Sequence, residues 1–169
     1  EAVQKAIGGV LFIDEAYALV NAENANDFGH EAIEVILKNM EDHRKDLIVI
    51  AAGYTDRMER FIHANPGLES RFNKYFFFED YDGKQLMDIF RSMCGKNGYT
   101  LSEEGEKFME KDLQELYDSR DENFGNARDV RNLFEQAVAR QADRVAQLEG
   151  PTKDQLMELK PEDLEETAQ

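Results

Sequence analysis

The sequence predicts an α/β core followed by an all-helical part, and three observations carry that reading. From residue 9 to about residue 80, short apolar runs alternate with amphipathic stretches. Two of those runs, "GVLFI" at 9–13 and "LIVIAAG" at 47–53, have no polar alternation. That pattern suits parallel strands covered on both faces. After Asp80 the strand-like runs stop, and apolar residues recur at spacings of three and four.

In order, "GVLFI" is the first strand and runs into Asp14 and Glu15. Residues 21–27, "NAENAND", read as a polar loop. The next stretch, "FGHEAIEVILKNMED", brings Ile33, Ile36, Leu37 and Met40 to one helical face. "LIVIAAG" is a second buried strand, rich in β-branched residues and bounded by Gly53. Asp56 suits the cap of a short helix carrying Met58, Phe61 and Ile62, and "NPG" at 65–67 breaks it. "YFFFE" at 75–79 reads as a third strand. Strand, helix, strand, helix, strand is the order of a mostly parallel α/β sheet.

The helical part begins with residues 83–97. Leu86, Ile89, Phe90, Met93 and Cys94 share one face, and Gly98 closes the helix. Ser102 suits the cap of the next helix, which buries Phe108, Leu113 and Leu116. Asn126 suits the cap of a long helix with Val130, Leu133, Phe134, Ala137 and Val138 inward. Thr152 and Gln155 have capping-box spacing. The ending "PEDLEETAQ" reads as an acidic tail that frays. The expected divisions are an α/β core at 1–80, a helical part at 81–150 and a tail at 151–169.

Thirty-six acidic residues against 20 basic ones give a formal charge of −16. Such a chain repels phosphate backbones and anionic lipid, which argues against nucleic acid and membrane surfaces as partners. Cys94 is the one cysteine and has no internal disulfide partner, so a buried thiol in a reducing compartment is expected. No apolar run is long enough to span a membrane and no signal peptide is apparent, so a cytoplasmic location is expected. His30, His43 and His63 are scattered, without zinc-ligand spacing.

The chemistry concentrates at strand ends. An Asp at the carboxyl end of a buried strand can hold the water shell of Mg²⁺, and the adjacent Glu can polarise a water that attacks a γ-phosphate. Asp14 and Glu15 have that arrangement, although strands also end in acids simply because a loop begins. A strand beside the acid-bearing one would bring Tyr54, Thr55 and Asp56 near the same phosphate. Arg71, expected on a short turn before a strand, suits spreading anionic charge on a neighbouring subunit. Its alternative role is a salt bridge on an acidic protein. Arg128 at a helix start suits an anion clamp, with Arg131 on roughly the same face. The alternative there is helix pairing with Asp129 or Glu135.

The segments "GGVLFIDEAYAL", "GHEAIEVILKNMED", "DLIVIAAGYTDRMERFIHANPGLESRF" and "FGNARDVRNLFEQAVARQADR" resemble the AAA+ ATPases of the stage V sporulation protein K and CbbX group. CbbX is the red-type rubisco activase. The likeness runs from about Ala6 to Arg144, and "LKPEDL" is similar to that group's ending. The resemblance implies a P-loop NTPase core with a helical lid. Asp14 and Glu15 match the Walker B acids, with Asp14 holding Mg²⁺ through water. Tyr54 or Thr55 falls at the sensor-1 position, where the group departs from the usual Asn. Arg71 matches the arginine finger and Arg128 the sensor-2 arginine, and "NAENAND" would face a central pore. A hexameric, ATP-driven remodeller of other proteins is implied, with ATP and Mg²⁺ as cofactors of the intact protein.

A nucleotide site also needs G-x-x-x-x-G-K-[ST] between a strand and a helix. The Gly-Lys pairs are Gly83-Lys84 and Gly95-Lys96, followed by Gln85 and Asn97, with Phe78 and Phe90 at the first-glycine positions. The chain therefore reads as the C-terminal portion of an ATPase module, without tight nucleotide binding or turnover of its own. In the AAA+ fold the P-loop strand lies between the strands matching "LIVIAAG" and "YFFFE". Its absence leaves open edges, so pairing or swapping with a second copy, or a shift of "YFFFE", is expected. The alternative reading is a non-hydrolysing interaction or regulatory module. The remodelled substrate is not named by these residues.

Overall fold

The computed structural model describes residues 1–20, 28–121 and 123–165. The expected polar loop at 21–27 lies outside them. The chain forms two compact units, Glu1–Phe78 and Glu79–Gln169, each with its own hydrophobic cluster.

In the first unit a short helix, α1 (Ala2–Ala6), precedes β1 (Gly9–Ile13). A 3₁₀ turn at Ala16–Leu19 follows β1. Helix α2 (Gly29–Asp42) then crosses over to β2 (Leu47–Ala51). The strands are parallel, with Val10 opposite Ile48 and Phe12 opposite Ile50. Side chains alternate across a strand, so this register separates two faces. Ile13 and Ala51 pack against a core of Ala16, Tyr17, Ile33, Leu37, Phe61, Ile62 and Leu68. Val10, Phe12, Ile48 and Ile50 stand on the other face, 45–60% exposed. The runs expected to be covered on both faces are thus covered on one face by the described residues.

Helices α3 (Thr55–His63) and α4 (Pro66–Arg71) complete the unit. Four local expectations are corrected here. Asp56 sits inside the first turn of α3 instead of capping it, and the N-cap position belongs to Tyr54. "NPG" both ends α3 and starts α4, because the Asn65 side chain accepts the Gly67 N–H at 2.7 Å and Pro66 pre-sets the first helical φ. Arg71 consequently ends a helix, and no strand follows it. Residues 75–79 are not a strand, and Tyr75 to Phe78 are 68–89% exposed. A strand needs a hydrogen-bonded neighbour. The sheet holding β1 and β2 has only those two strands among the described residues, so "YFFFE" does not shift in to close it.

The second unit is built from α5 (Gly83–Asn97), α6 (Glu103–Asp118) and α7 (Ala127–Val145). Leu86, Phe90, Cys94, Met109, Leu113, Val130, Phe134 and Ala137 are buried between them. Asp82 caps α5 with a full capping box, and Gly98 ends it in the left-handed region at φ 80°. Ser102 caps α6 as expected. Asn126 does not cap α7 with its side chain; it accepts from the Tyr81 N–H and donates to Asp80. The Asp129 carboxylate instead takes the Gly125 N–H at 2.7 Å, and a Cβ at Gly125 would run into that carboxylate.

The ending is not a fraying tail over its described part. Helix α8 (Lys153–Met157) carries the Thr152–Gln155 capping box. Strand β4 (Glu158–Leu159) pairs in parallel with β3 (Thr100–Leu101), and α9 (Pro161–Leu164) follows. Leu159 and Leu164 are buried. Arg144 on α7 grips the buried Asp163 with two bonds of 2.8 and 2.7 Å, and Arg140 donates to the Asp163 carbonyl at 2.7 Å. A bidentate, charge-assisted pair of this kind fixes geometry as well as adding energy.

Candidate functional site

Asp14 and Glu15 follow β1 directly. Glu15 lies at φ 49°, ψ 43°, in the left-handed region, which non-glycine residues rarely occupy. Asp14 Oδ1 accepts the Glu15 N–H at 3.0 Å and steadies the turn. The Ala16 N–H donates to the Ala52 carbonyl at 3.1 Å, and the Ala52 N–H donates to the Ile13 carbonyl at 2.8 Å. The acid-bearing turn is thereby bolted to the end of β2. Both acidic residues are exposed.

The end of β2 is shaped around Tyr17, whose side chain is buried. A Cβ on Gly53 would meet the Tyr17 ring at 2.8 Å and the Met58 sulfur at 2.9 Å. Only glycine lets this ring lie against the backbone. The Tyr17 and Tyr54 rings are 6.4 Å apart, and the Arg57 guanidinium lies 5.2 and 5.5 Å from their centroids. Such cation–π contacts order a long side chain over aromatic faces. Arg57 and Arg60 also line a small cleft of about 90 Å³ with Tyr17, Val20 and Phe61. Neither arginine forms an ion pair among the described residues. Thr55 is the first residue of α3 and is exposed.

The structure therefore brings Asp14, Glu15, Tyr54 and Thr55 to one end of the sheet. Arg57 joins them, although the sequence reading did not single it out. Its only signal was its place three residues after Tyr54, on the same side of a helix start. Arg71 belongs to the same unit but rests against Glu41 of α2, at 3.4 Å. Arg128 lies in the other unit, exposed in the first turn of α7, where its N–H donates to the Gly125 carbonyl. Among the described residues, Arg128 and Arg131 form no ion pair.

Carboxylates that stand free in solvent at a strand end suit a hydrated divalent cation, which keeps several waters and takes one or two acids. No group of three metal-ligating side chains occurs among the described residues. Asp14 and Glu15 are oxygen donors of the kind a hydrated Mg²⁺ accepts. No phosphate-cradling glycine loop occurs in the 169 residues.

Residues 82–169 match the AAA lid domain, and residues 1–80 match the ATPase family associated with various cellular activities (AAA). The chain belongs to the AAA ATPase family, as a stretch of the ATPase core followed by the lid. Among its relatives, protein CfxQ of Xanthobacter flavus is 45% identical over 145 residues, 86% of this chain and 45% of that protein. Protein CbbX of Cereibacter sphaeroides is 42% identical over 145 residues, 86% of this chain and 46% of that protein. The chloroplastic ribulose bisphosphate carboxylase/oxygenase activase of Cyanidioschyzon merolae is 41% identical over 166 residues, 97% of this chain and 56% of that protein. The chain spans about half the length of the curated relatives it matches. Among the described residues, no helix is long and apolar enough to cross a membrane.

Proposed function

We propose that this chain is the C-terminal part of an AAA+ ATPase that couples ATP hydrolysis to the remodelling of other proteins in a ring. The observation that carries the reading is the pair of acids at the end of β1, tied through Ala16 and Ala52 to the end of β2. Asp14 would hold the water shell of Mg²⁺, and Mg²⁺ would neutralise the phosphate oxygens. Glu15 accepts a proton from the attacking water and aims it. Tyr54 and Thr55 read the state of the same phosphate from the neighbouring strand end. Arg71 completes the site of an adjacent subunit, and Arg128 contributes a cation from the lid. The phosphate cradle comes from residues outside these 169. One relative's name, ribulose bisphosphate carboxylase/oxygenase activase, supports that carboxylase as the remodelled protein.

The test uses the full-length protein and this chain in parallel. Glu15→Gln in the full-length protein should keep ATP binding and slow hydrolysis by about 10²-fold or more, the usual worth of a positioned base. This chain alone should show negligible turnover. Wild-type hydrolysis rates in the Glu15→Gln protein would sink the assignment.

A further inference from the structure

Arg71 is held in an unusual way. Its Nη2 donates to Glu41 Oε2 at 3.4 Å, and its Nη1 donates to the Gly67 carbonyl at 3.4 Å and to Ser70 Oγ at 3.3 Å. Charge-assisted bonds between guanidinium and carboxylate settle near 2.7–2.9 Å, so each of these is long. The Nε is buried and has no hydrogen-bond partner among the described residues. A guanidinium offers five donors in a planar fork. Here the fork is poorly filled, and one donor has lost water without gaining an acceptor.

The surroundings explain what keeps it there. Gly67 lies one turn earlier on α4, and a Cβ there would crowd Leu37 at 2.8 Å and Asn65 Oδ1 at 2.9 Å while only touching the guanidinium at 3.7 Å. Glu69 is directed to His63, 3.9 Å away, and the Asn65 side chain is occupied by the Gly67 N–H. Glu41, near the end of α2, is the acidic side chain paired with Arg71.

We propose that Glu41 is the positioning residue of Arg71: its carboxylate holds the guanidinium against α4 in the lone subunit and gives it up to an anion on a neighbouring subunit. The inference rests on the reading of Arg71 as a residue that acts across a subunit boundary. A pose of long bonds with an orphan donor is easily exchanged. A phosphate oxygen offers the fork the short, paired acceptors that Glu41 does not. Removing the Glu41 charge therefore shifts Arg71 toward the extended pose and raises the rate at the neighbour's site.

The experiment mixes two full-length variants. Glu15→Gln subunits retain Arg71 but not the base, and Arg71→Ala subunits retain the base but not the arginine. Turnover in the mixture reports Arg71 acting across a boundary. Glu41→Gln added to the Glu15→Gln subunit should raise mixed turnover roughly 2–5-fold, the range of a half-exposed ion pair. The gain should shrink in high salt, which screens the pair in the reference protein. Glu41→Gln added to the Arg71→Ala subunit should change nothing. Glu41 is exposed, and loss of a negative charge near a helix C-terminus does not destabilise α2. Equal effects in both subunits, no effect, or a fall in rate would overturn the role of Glu41. Absence of turnover in every mixture would remove the reading of Arg71 itself, and this inference with it.

Discussion

Glu15 is held in a backbone conformation that costs a side-chain-bearing residue of order 1–3 kcal/mol. Such strain persists only where the surroundings over-determine it, and here the Asp14 carboxylate and the bond from Ala16 to Ala52 do so. The neighbouring sequence shares the logic. Gly53 gives up its Cβ to Tyr17, and Arg57 lies close to both Tyr17 and Tyr54. Acid turn and strand end are therefore one packed unit. Cys94 shows the opposite case, a side chain whose chemistry is suppressed. Burial pushes its thiol up from 9.0 to about 11. The folded state then holds the proton more tightly than the unfolded chain. Its contribution to stability is complete below pH 9 and is lost as pH rises through 11. Urea unfolding should show that decline between pH 9 and 11, absent in Cys94→Ala, and a thiol reagent at pH 7 should react slowly until the chain unfolds.

At the scale of elements, helices are legible where apolar residues recur at spacings of three and four. Helix α5 has its capping box at Asp82, its stripe from Leu86 to Cys94 and its stop at Gly98. The failures have physical causes. "YFFFE" has the composition of a strand, but strand formation depends on a partner that composition does not report. The ending "PEDLEETAQ" reads as a tail because it is acidic. Its order comes from polar groups far apart in sequence, with Arg144 and Arg140 reaching Asp163 and with Gln141 donating to the Leu156 carbonyl. The hydrogen bond to Asp163 is the leading cause that raises the Arg144 pKa above its usual value, against the cost of burial. Asp163 also accepts the Lys160 N–H that starts α9. Asp163→Ala removes the buried partner of Arg144, which keeps an ion pair with the more exposed Glu162 at 3.2 Å and a bond to the Glu158 carbonyl. It should cost about 1.5–3 kcal/mol, the worth of a hydrogen bond to a charged group, read as a lower denaturation midpoint of the second unit.

Over the whole molecule, two hydrophobic clusters form without sharing a residue. Of the candidate residues named from sequence, Asp14, Glu15, Tyr54 and Thr55 lie at strand ends as expected, whereas Arg71 and Arg128 lie on helices. A strand end has a local signature in an apolar run meeting polar residues. Arg57 and Glu41 have none, since their roles depend on which ring or cation the fold brings against them.

The bare aromatic run from Tyr75 to Phe78 joins the two clusters. It also makes that stretch readily digestible. A protease that cuts after large aromatic residues finds four consecutive targets there, outside any helix or strand. Brief chymotrypsin treatment should sever the chain at these positions first. It should leave a resistant piece beginning near Glu79, identified by its mass, which unfolds as cooperatively as before. Early cuts at Phe90 or Phe134 instead would mean that the second cluster does not stand by itself.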